Sequence, residues 1–328
     1  MELHDSYNRA IDYLRVSVTD RCNFRCVYCM PPEGVQLLQH SDILTYEELV
    51  RIIAILTKQG ISKVRITGGE PLVRKGIVDF VHAVKALGTV EDLSMTTNGS
   101  LLGPLAADLK AAGLDRVNIS LDTVHPERFR HITGGCGNIA DTLSGIESAL
   151  QAGLTPVKLN VVLSEAVTED DLVYFTRLVR QHPVAVRFIE YMPIGYGGIG
   201  PGMKADAVRE LLEKHAPGSL KPMTFTGKGN GPAKYYRFAQ SKGCIGFITP
   251  ISDHFCGSCN RIRLTADGKL RPCLLSNQEV DMKTPLRGGA SDTGLASLFF
   301  QVVQEKPAEH HLNNSDTDFQ RRMSQIGG

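Results

Sequence analysis

Apolar and polar residues alternate in short stretches along the first two thirds of the chain, and helical periodicity fills the gaps between them. Leu14, Val16 and Val18 alternate with Arg15, Ser17 and Thr19, and Val64 and Ile66 alternate with Lys63, Arg65 and Thr67. Successive side chains of a strand point to opposite faces, so each stretch predicts a strand with one apolar and one polar face. Strands are expected at about 14–19, 63–67, 92–97, 116–121, 157–162 and 184–189. Between the first two, Thr45-Tyr-Glu-Glu48 reads as a capping box opening a helix. Its Leu49, Ile52, Ile53 and Leu56 share one face, and Gly60 stops it. Further helices are expected at 76–87, 104–112, 138–152 and 168–181, the last opened by Thr168 and Asp171. Such regular alternation predicts βαβ units and a parallel sheet.

The second face of these strands narrows the fold. Parallel strands covered by helices on both sides read as almost continuously apolar. Here Asn118, Ser120 and Asp122 oppose Val117, Ile119 and Leu121, and Lys158 and Asn160 oppose Leu159 and Val161. Solvent on one side would not select Arg and Lys at corresponding strand positions, so the polar faces are expected to converge on a lumen. A closed eight-stranded barrel fills its lumen with branched apolar side chains. The expected fold class is therefore α/β: an incomplete (β/α)6 TIM-like barrel with a wet, cationic interior and a C-terminal extension. The boundary is placed near 200, giving a partial barrel over 1–200 and an extension over 201–328. Arg187 stays ambiguous, because its strand shows no clean alternation. The run Gly195 to Gly202 reads as a mobile loop or lid, and no Lys-Ser or Lys-Thr follows to make it a P-loop.

At 328 residues the chain exceeds the usual size of a single core. A formal net charge of +1 argues against a general polyanion surface and hence against nucleic acid as a partner; anion binding has to come from locally clustered arginines. No apolar run approaches the ~18 residues of a membrane span, and the N-terminus lacks a targeting pattern. A soluble, cytoplasmic protein with reduced thiols is expected.

The candidate chemistry lies in two cysteine sets. Cys22, Cys26 and Cys29 follow the first strand in C-x3-C-x2-C spacing. Three thiolates on a cubane of four irons leave one iron open to a substrate or cosubstrate. The other reading is a zinc knuckle with a borrowed fourth ligand. Cys256, Cys259 and Cys273 form the second trio, and Asp267-Gly268 between alternating segments signals a hairpin that would bring Cys259 and Cys273 to one centre. Pro272 cannot donate to a ladder, so its strand is an edge or ends there. A structural zinc completed by His254 or Cys244 is the alternative for this set. Cys136 and Cys244 are otherwise read as free thiols.

With Tyr28 before its last cysteine, the first trio resembles the signature of the radical S-adenosylmethionine superfamily. Gly68-Gly69-Glu70-Pro71 is similar to that superfamily's methionine-binding turn, where glycines let backbone approach a ligand. The second trio, Asn260-Arg261-Ile262-Arg263 and the final Gly327-Gly328 resemble the GTP 3′,8-cyclase family, with a likeness running from Arg15 to Gly328. The resemblance implies two 4Fe-4S clusters and S-adenosylmethionine. It implies a radical that takes the 3′ hydrogen of GTP so that C3′ closes onto C8, opening molybdenum cofactor biosynthesis. By matching position, Arg15, Lys63, Arg65, Thr96, Lys158 and Arg261 to Arg263 with Ile262 would meet GTP. Tyr28, Gly68, Gly69, Glu70, Pro71, Ser120 and Met192 would meet the cosubstrate. Arg261, Arg263, Gly327 and Gly328 would act in the reaction, the glycines by threading into a narrow cavity without side-chain clash; a frayed end is the other reading of the tail. Implied partners are an electron donor such as flavodoxin or ferredoxin, a downstream cyclic pyranopterin monophosphate synthase, and a second copy in a homodimer. A peptide-modifying maturase of the same superfamily and a noncatalytic metal-binding module are the competing readings. Residues 305–320, with His310-His311 and Asn313-Asn314, match no motif.

Overall fold

The computed structural model describes residues 2–31, 33–194, 198–216, 220–229, 231–310 and 321–327. Each expected strand forms: β1 (Tyr13–Ser17), β2 (Lys63–Thr67), β3 (Asp92–Thr97), β4 (Arg116–Ser120), β5 (Val157–Leu163) and β6 (Val184–Glu190). The intervening helices are α1 (Tyr46–Thr57), α2 (Ile77–Ala86), α3 (Leu102–Ala111), α4 (Pro126–Ile132), α5 (Ile139–Gln151) and α6 (Glu169–Gln181). Only α4 has no counterpart in the sequence reading; seven residues are too few to show a clear apolar face. The extension adds α7 (Ala205–His215), β7 (Lys221–Met223), β8 (Lys234–Arg237), β9 (Cys244–Ile248), β10 (Arg261–Leu264), β11 (Lys269–Arg271), β12 (Val280–Asp281), α8 (Lys283–Arg287), α9 (Asp292–Gln304) and α10 (Met323–Ile326).

All these strands join one sheet in the order β12-β11-β10-β1-β2-β3-β4-β5-β6-β9-β8-β7. β10 runs parallel to β1 and β9 parallel to β6, so the extension widens the parallel run at both ends. The sheet stays open, and antiparallel strands finish each edge. β11 ends before Pro272 as expected, but β12 pairs beyond it, so it is an inner strand.

Leu14, Val16, Val64, Ile66, Val117, Ile119, Leu159 and Val161 are fully buried against the helices. Each such side chain contributes about 1.5–3 kcal/mol. Because the side-chain period is two, fixing this face outward turns every intervening residue to the lumen. The Thr45 box closes α1: Glu48 N donates to Thr45 Oγ1 at 3.2 Å and Thr45 N to Glu48 Oε2 at 2.8 Å. Of the glycine-rich run, 195–197 lie outside the described residues; Gly202 N donates to Leu163 O at 3.0 Å, tying the rest to the end of β5. No helix among the described residues is long and apolar enough to cross a membrane.

Candidate active site

Register places Arg263, Arg15 and Arg65 side by side on the lumen face of β10, β1 and β2. All three are buried. Burial, and then the neighbouring arginines, push Arg15 well below the ordinary arginine range. Burial likewise brings Arg65 and Arg263 down to about 10. Further round, Arg116 is neutralised by Asp92 through two hydrogen bonds of 2.9 and 2.7 Å. Arg187 resolves as a lumen residue, its Nη2 donating to Asn118 Oδ1 at 3.0 Å and Asn160 Oδ1 at 2.5 Å.

The first thiol trio sits on the loop after β1. Met30 N and Cys29 N both donate to Cys26 O, at 3.0 and 2.8 Å, folding the loop tightly. The residues just after α4, and its last, back it: Arg25 N donates to Thr133 O and Val27 N to Ile132 O, while Phe24 meets Phe129 edge to face. Burial raises all three thiols, Cys22 to about 11, Cys29 to about 12, and Cys26 well above its ordinary value. A metal cation bound among them would oppose this shift and favour the thiolates. Tyr28 O–H donates to Asp122 Oδ2 at 2.8 Å, and Asp122 Oδ1 accepts from Val162 N at 2.8 Å, linking the loop to β5.

The glycine turn after β2 docks on the start of that loop. Gly69 N donates to Thr19 O at 2.7 Å and Glu70 N to Arg21 O at 2.8 Å. A Cβ on Gly69 would lie 2.4 Å from Arg21 O, so these glycines first serve the approach of backbone to backbone. Glu70 accepts from Leu72 N, Thr97 Oγ1 and Asn98 N at 3.1, 2.7 and 2.7 Å; burial pushes it up to about 7 despite these donors.

In the second set, Cys256 opens a short 3-10 turn, Cys259 follows it, and Cys273 follows β11. Burial raises Cys256. Burial also acts to raise Cys259, but the Arg261 and Lys306 cations outweigh it and bring the thiol down to about 6. Among the described residues, the group whose ligand atoms all gather within 4.8 Å is His254, Cys256 and His310. Neither cysteine trio is drawn together that tightly, as one Zn2+ with Zn–S bonds of about 2.3 Å would require. Cys244, the other candidate zinc ligand, is buried on β9 beside Ala185 and Tyr235. Three thiolates in each set suit a cubane of four irons.

All six cysteines open onto one cavity of about 350 Å³, within the roughly 300–1,000 Å³ typical of small-molecule sites. Arg15, Arg65, Thr96, Arg261 and Arg263 line it, as do Tyr28, Gly68, Gly69, Glu70, Ser120 and Met192. The Thr96 hydroxyl is buried there with no hydrogen-bond partner among the described residues. Among the residues expected to meet GTP or the cosubstrate, four are not on the wall. Lys63, at the start of β2, pairs with Asp12. Ile262 points the other way, into the core against the helices. Pro71 is buried at the head of a 3-10 turn. Lys158 Nζ donates to Lys228 O at 2.9 Å and lies over the Phe225 ring. Burial, then repulsion from Arg116, Arg187 and Arg65, pushes Lys158 down to about 6. The sequence reading missed Tyr13 and Lys306, which also line the cavity, as do Asp122 and Asn160 from the polar faces it had turned to the lumen. Strand parity marks Tyr13, two residues before Arg15; nothing local marks Lys306.

The tail enters this site. Gly327 O accepts from Arg15 Nη2 at 3.2 Å and from Arg263 Nη1 at 2.9 Å. Its φ is +68°, and a Cβ would lie 2.4 Å from Thr67 Oγ1. Arg321 fixes the segment by donating to both Asp267 oxygens at 3.0 and 2.8 Å. Gly328 lies outside the described residues.

An open parallel barrel with a three-thiol loop after its first strand and a glycine turn after its second defines a radical S-adenosylmethionine enzyme. The family model for the radical SAM superfamily matches residues 16–179, and that for molybdenum cofactor synthesis C matches 184–312. The chain is 55% identical to the GTP 3′,8-cyclase of Heliobacterium modesticaldum over 99% of both chains. It is 49% identical to that of Moorella thermoacetica over 99% of this chain and all of the relative. Among solved structures, Streptococcus suis SuiB bound to S-adenosylmethionine shares the fold, with TM-score 0.62 and 13% identity, covering 95% of this chain and 79% of that one. The chain belongs to the GTP 3′,8-cyclase family.

Proposed function

We propose that this chain converts GTP to (8S)-3′,8-cyclo-7,8-dihydroguanosine 5′-triphosphate, the first step of molybdenum cofactor biosynthesis. The row Arg263-Arg15-Arg65 between the two thiol trios carries the assignment to this site, because three adjacent buried cations call for a polyanion such as a triphosphate. When bound, a 4Fe-4S cluster on Cys22, Cys26 and Cys29 supplies the reductive cleavage of S-adenosylmethionine that generates the hydrogen-abstracting radical. Tyr28, Gly68, Gly69, Ser120 and Met192 hold the cosubstrate against this loop, and Glu70 orders the turn. Cys256, Cys259 and Cys273 would hold a second cluster, whose open iron would offer a site for the guanine base. Arg261 and Arg263 place the nucleotide, Thr96 offers its hydroxyl, and Lys158 braces the wall from behind through its bond to Lys228 O. Gly327 completes the pocket without a side chain and keeps water from the reacting ribose, and Gly328 acts with it in the reaction.

The enzyme works as two units, 1–200 and 201–328, in the cytoplasm. It takes its electron from a flavodoxin or ferredoxin, passes its product to cyclic pyranopterin monophosphate synthase, and pairs as a homodimer. The test is anaerobic reconstitution with iron and sulfide, followed by GTP, S-adenosylmethionine and a reductant. Equal amounts of 5′-deoxyadenosine and cyclised nucleotide are expected; deoxyadenosine without any cyclised nucleotide would overturn the assignment.

A further inference from the structure

Lys306 follows α9, far in sequence from either cysteine set, yet it is only 3% exposed. Its Nζ donates to Arg261 O at 3.0 Å and to Pro272 O at 2.7 Å. Those carbonyls stand at the open end of the β10–β11 hairpin, two residues after Cys259 and one before Cys273. Arg9 locks the segment in place. Its guanidinium donates to Cys256 O at 2.9 Å on one side and to Pro307 O and Ala308 O at 2.7 and 2.9 Å on the other. Arg9 is itself neutralised by Asp5 at 2.6 Å. Lys306, by contrast, has only carbonyl acceptors among the described residues, and the anionic groups in its field are Cys259 and Cys273.

A buried ammonium without a counter-charge costs several kcal/mol. Three thiolates on a cubane leave a net negative charge that grows by one on reduction, and net charge is among the determinants of cluster potential. Resting on the two-cluster reading above, we infer that Lys306 is a positioning residue for the second cluster, pinning the hairpin's open end and raising the cluster's reduction potential with its fixed charge.

The test compares Lys306→Gln, which keeps hydrogen-bond donors without charge, with Lys306→Met and Lys306→Arg in the full chain, reconstituted anaerobically. Iron is counted, and both clusters are titrated by electron paramagnetic resonance; the second signal is the one that persists when Cys22, Cys26 and Cys29 are replaced by Ala. In Lys306→Gln and Lys306→Met the second midpoint is expected to fall so that its reduced form is about tenfold rarer at a fixed potential, 59 mV for a one-electron couple. Lys306→Arg and the first cluster should stay at the parent values. Selective loss of the second cluster in Lys306→Met would equally support the pinning role. Full loading with an unchanged second midpoint, or equal loss of both clusters, overturns the inference. A parent chain that loads only one cluster overturns the two-cluster reading instead.

Discussion

Arg263, Arg15 and Arg65 occupy neighbouring strands, which lie about 4.8 Å apart. Like charges brought side by side in a partly screened interior repel one another. The sheet register holds the row together, Gly327 O meets part of it, and a bound polyanion would relieve it further. Arg261→Ala and Arg263→Ala should each weaken GTP binding by about 1–3 kcal/mol in calorimetry, while uncoupled cleavage of S-adenosylmethionine stays measurable. Unchanged affinity in both would place the nucleotide elsewhere. Lys158 makes a pH-dependent contribution. Its folded value of about 6 lies below its ordinary 10.5, so between those values the unfolded chain holds the extra proton. Stability should therefore rise with pH from about 6 towards 10.5. Denaturation midpoints measured over this range should show that rise in the parent and lose it in Lys158→Met; equal slopes would show that Lys158 titrates normally.

At the scale of elements, the glycine turn, the first thiol loop and the tail are shaped by contacts with one another. α4 backs the thiol loop through Thr133 and Phe129, and the turn grips the loop's start through Thr19 and Arg21. The tail depends on the same economy of space. A side chain at 327 meets Thr67 Oγ1 at 2.4 Å, and a β-branched residue also resists the positive φ. Gly327→Val, or deletion of Gly327 and Gly328, should abolish cyclisation while iron content and thermal midpoint remain near the parent's. Full product formation by either variant would remove the tail from the reaction.

For the whole molecule, the extension's strands add to both ends of the barrel sheet, so the second thiol trio faces the first across one cavity. Two separate three-thiolate sets predict about eight irons per chain after anaerobic reconstitution, with matching sulfide. Stoichiometric zinc without sulfide would refute it. Replacing Cys256, Cys259 and Cys273 by Ala should halve the iron and leave S-adenosylmethionine cleavage, since the first loop draws its support from α4, the glycine turn and β5.

The order of strands and helices, the polar lumen and both cysteine trios are legible in the sequence, because they rest on periodicities and spacings of a few residues. Period two by itself puts Arg15, Arg65 and Asn118 on one face. The same logic misplaces Lys63 and Lys158: parity assigns a face but not a depth, and a long side chain at the far end of a strand finds Asp12 or Lys228 instead of the cavity. Arg187, Asp122 and Lys306 find their partners only through tertiary contact. Their partners lie 69, 94 and 45 residues away in sequence, at Asn118, Tyr28 and Arg261. Local pattern carries no information at such separations; the pairing of β10 with β1, which closes the site, is decided by packing of the complete sheet.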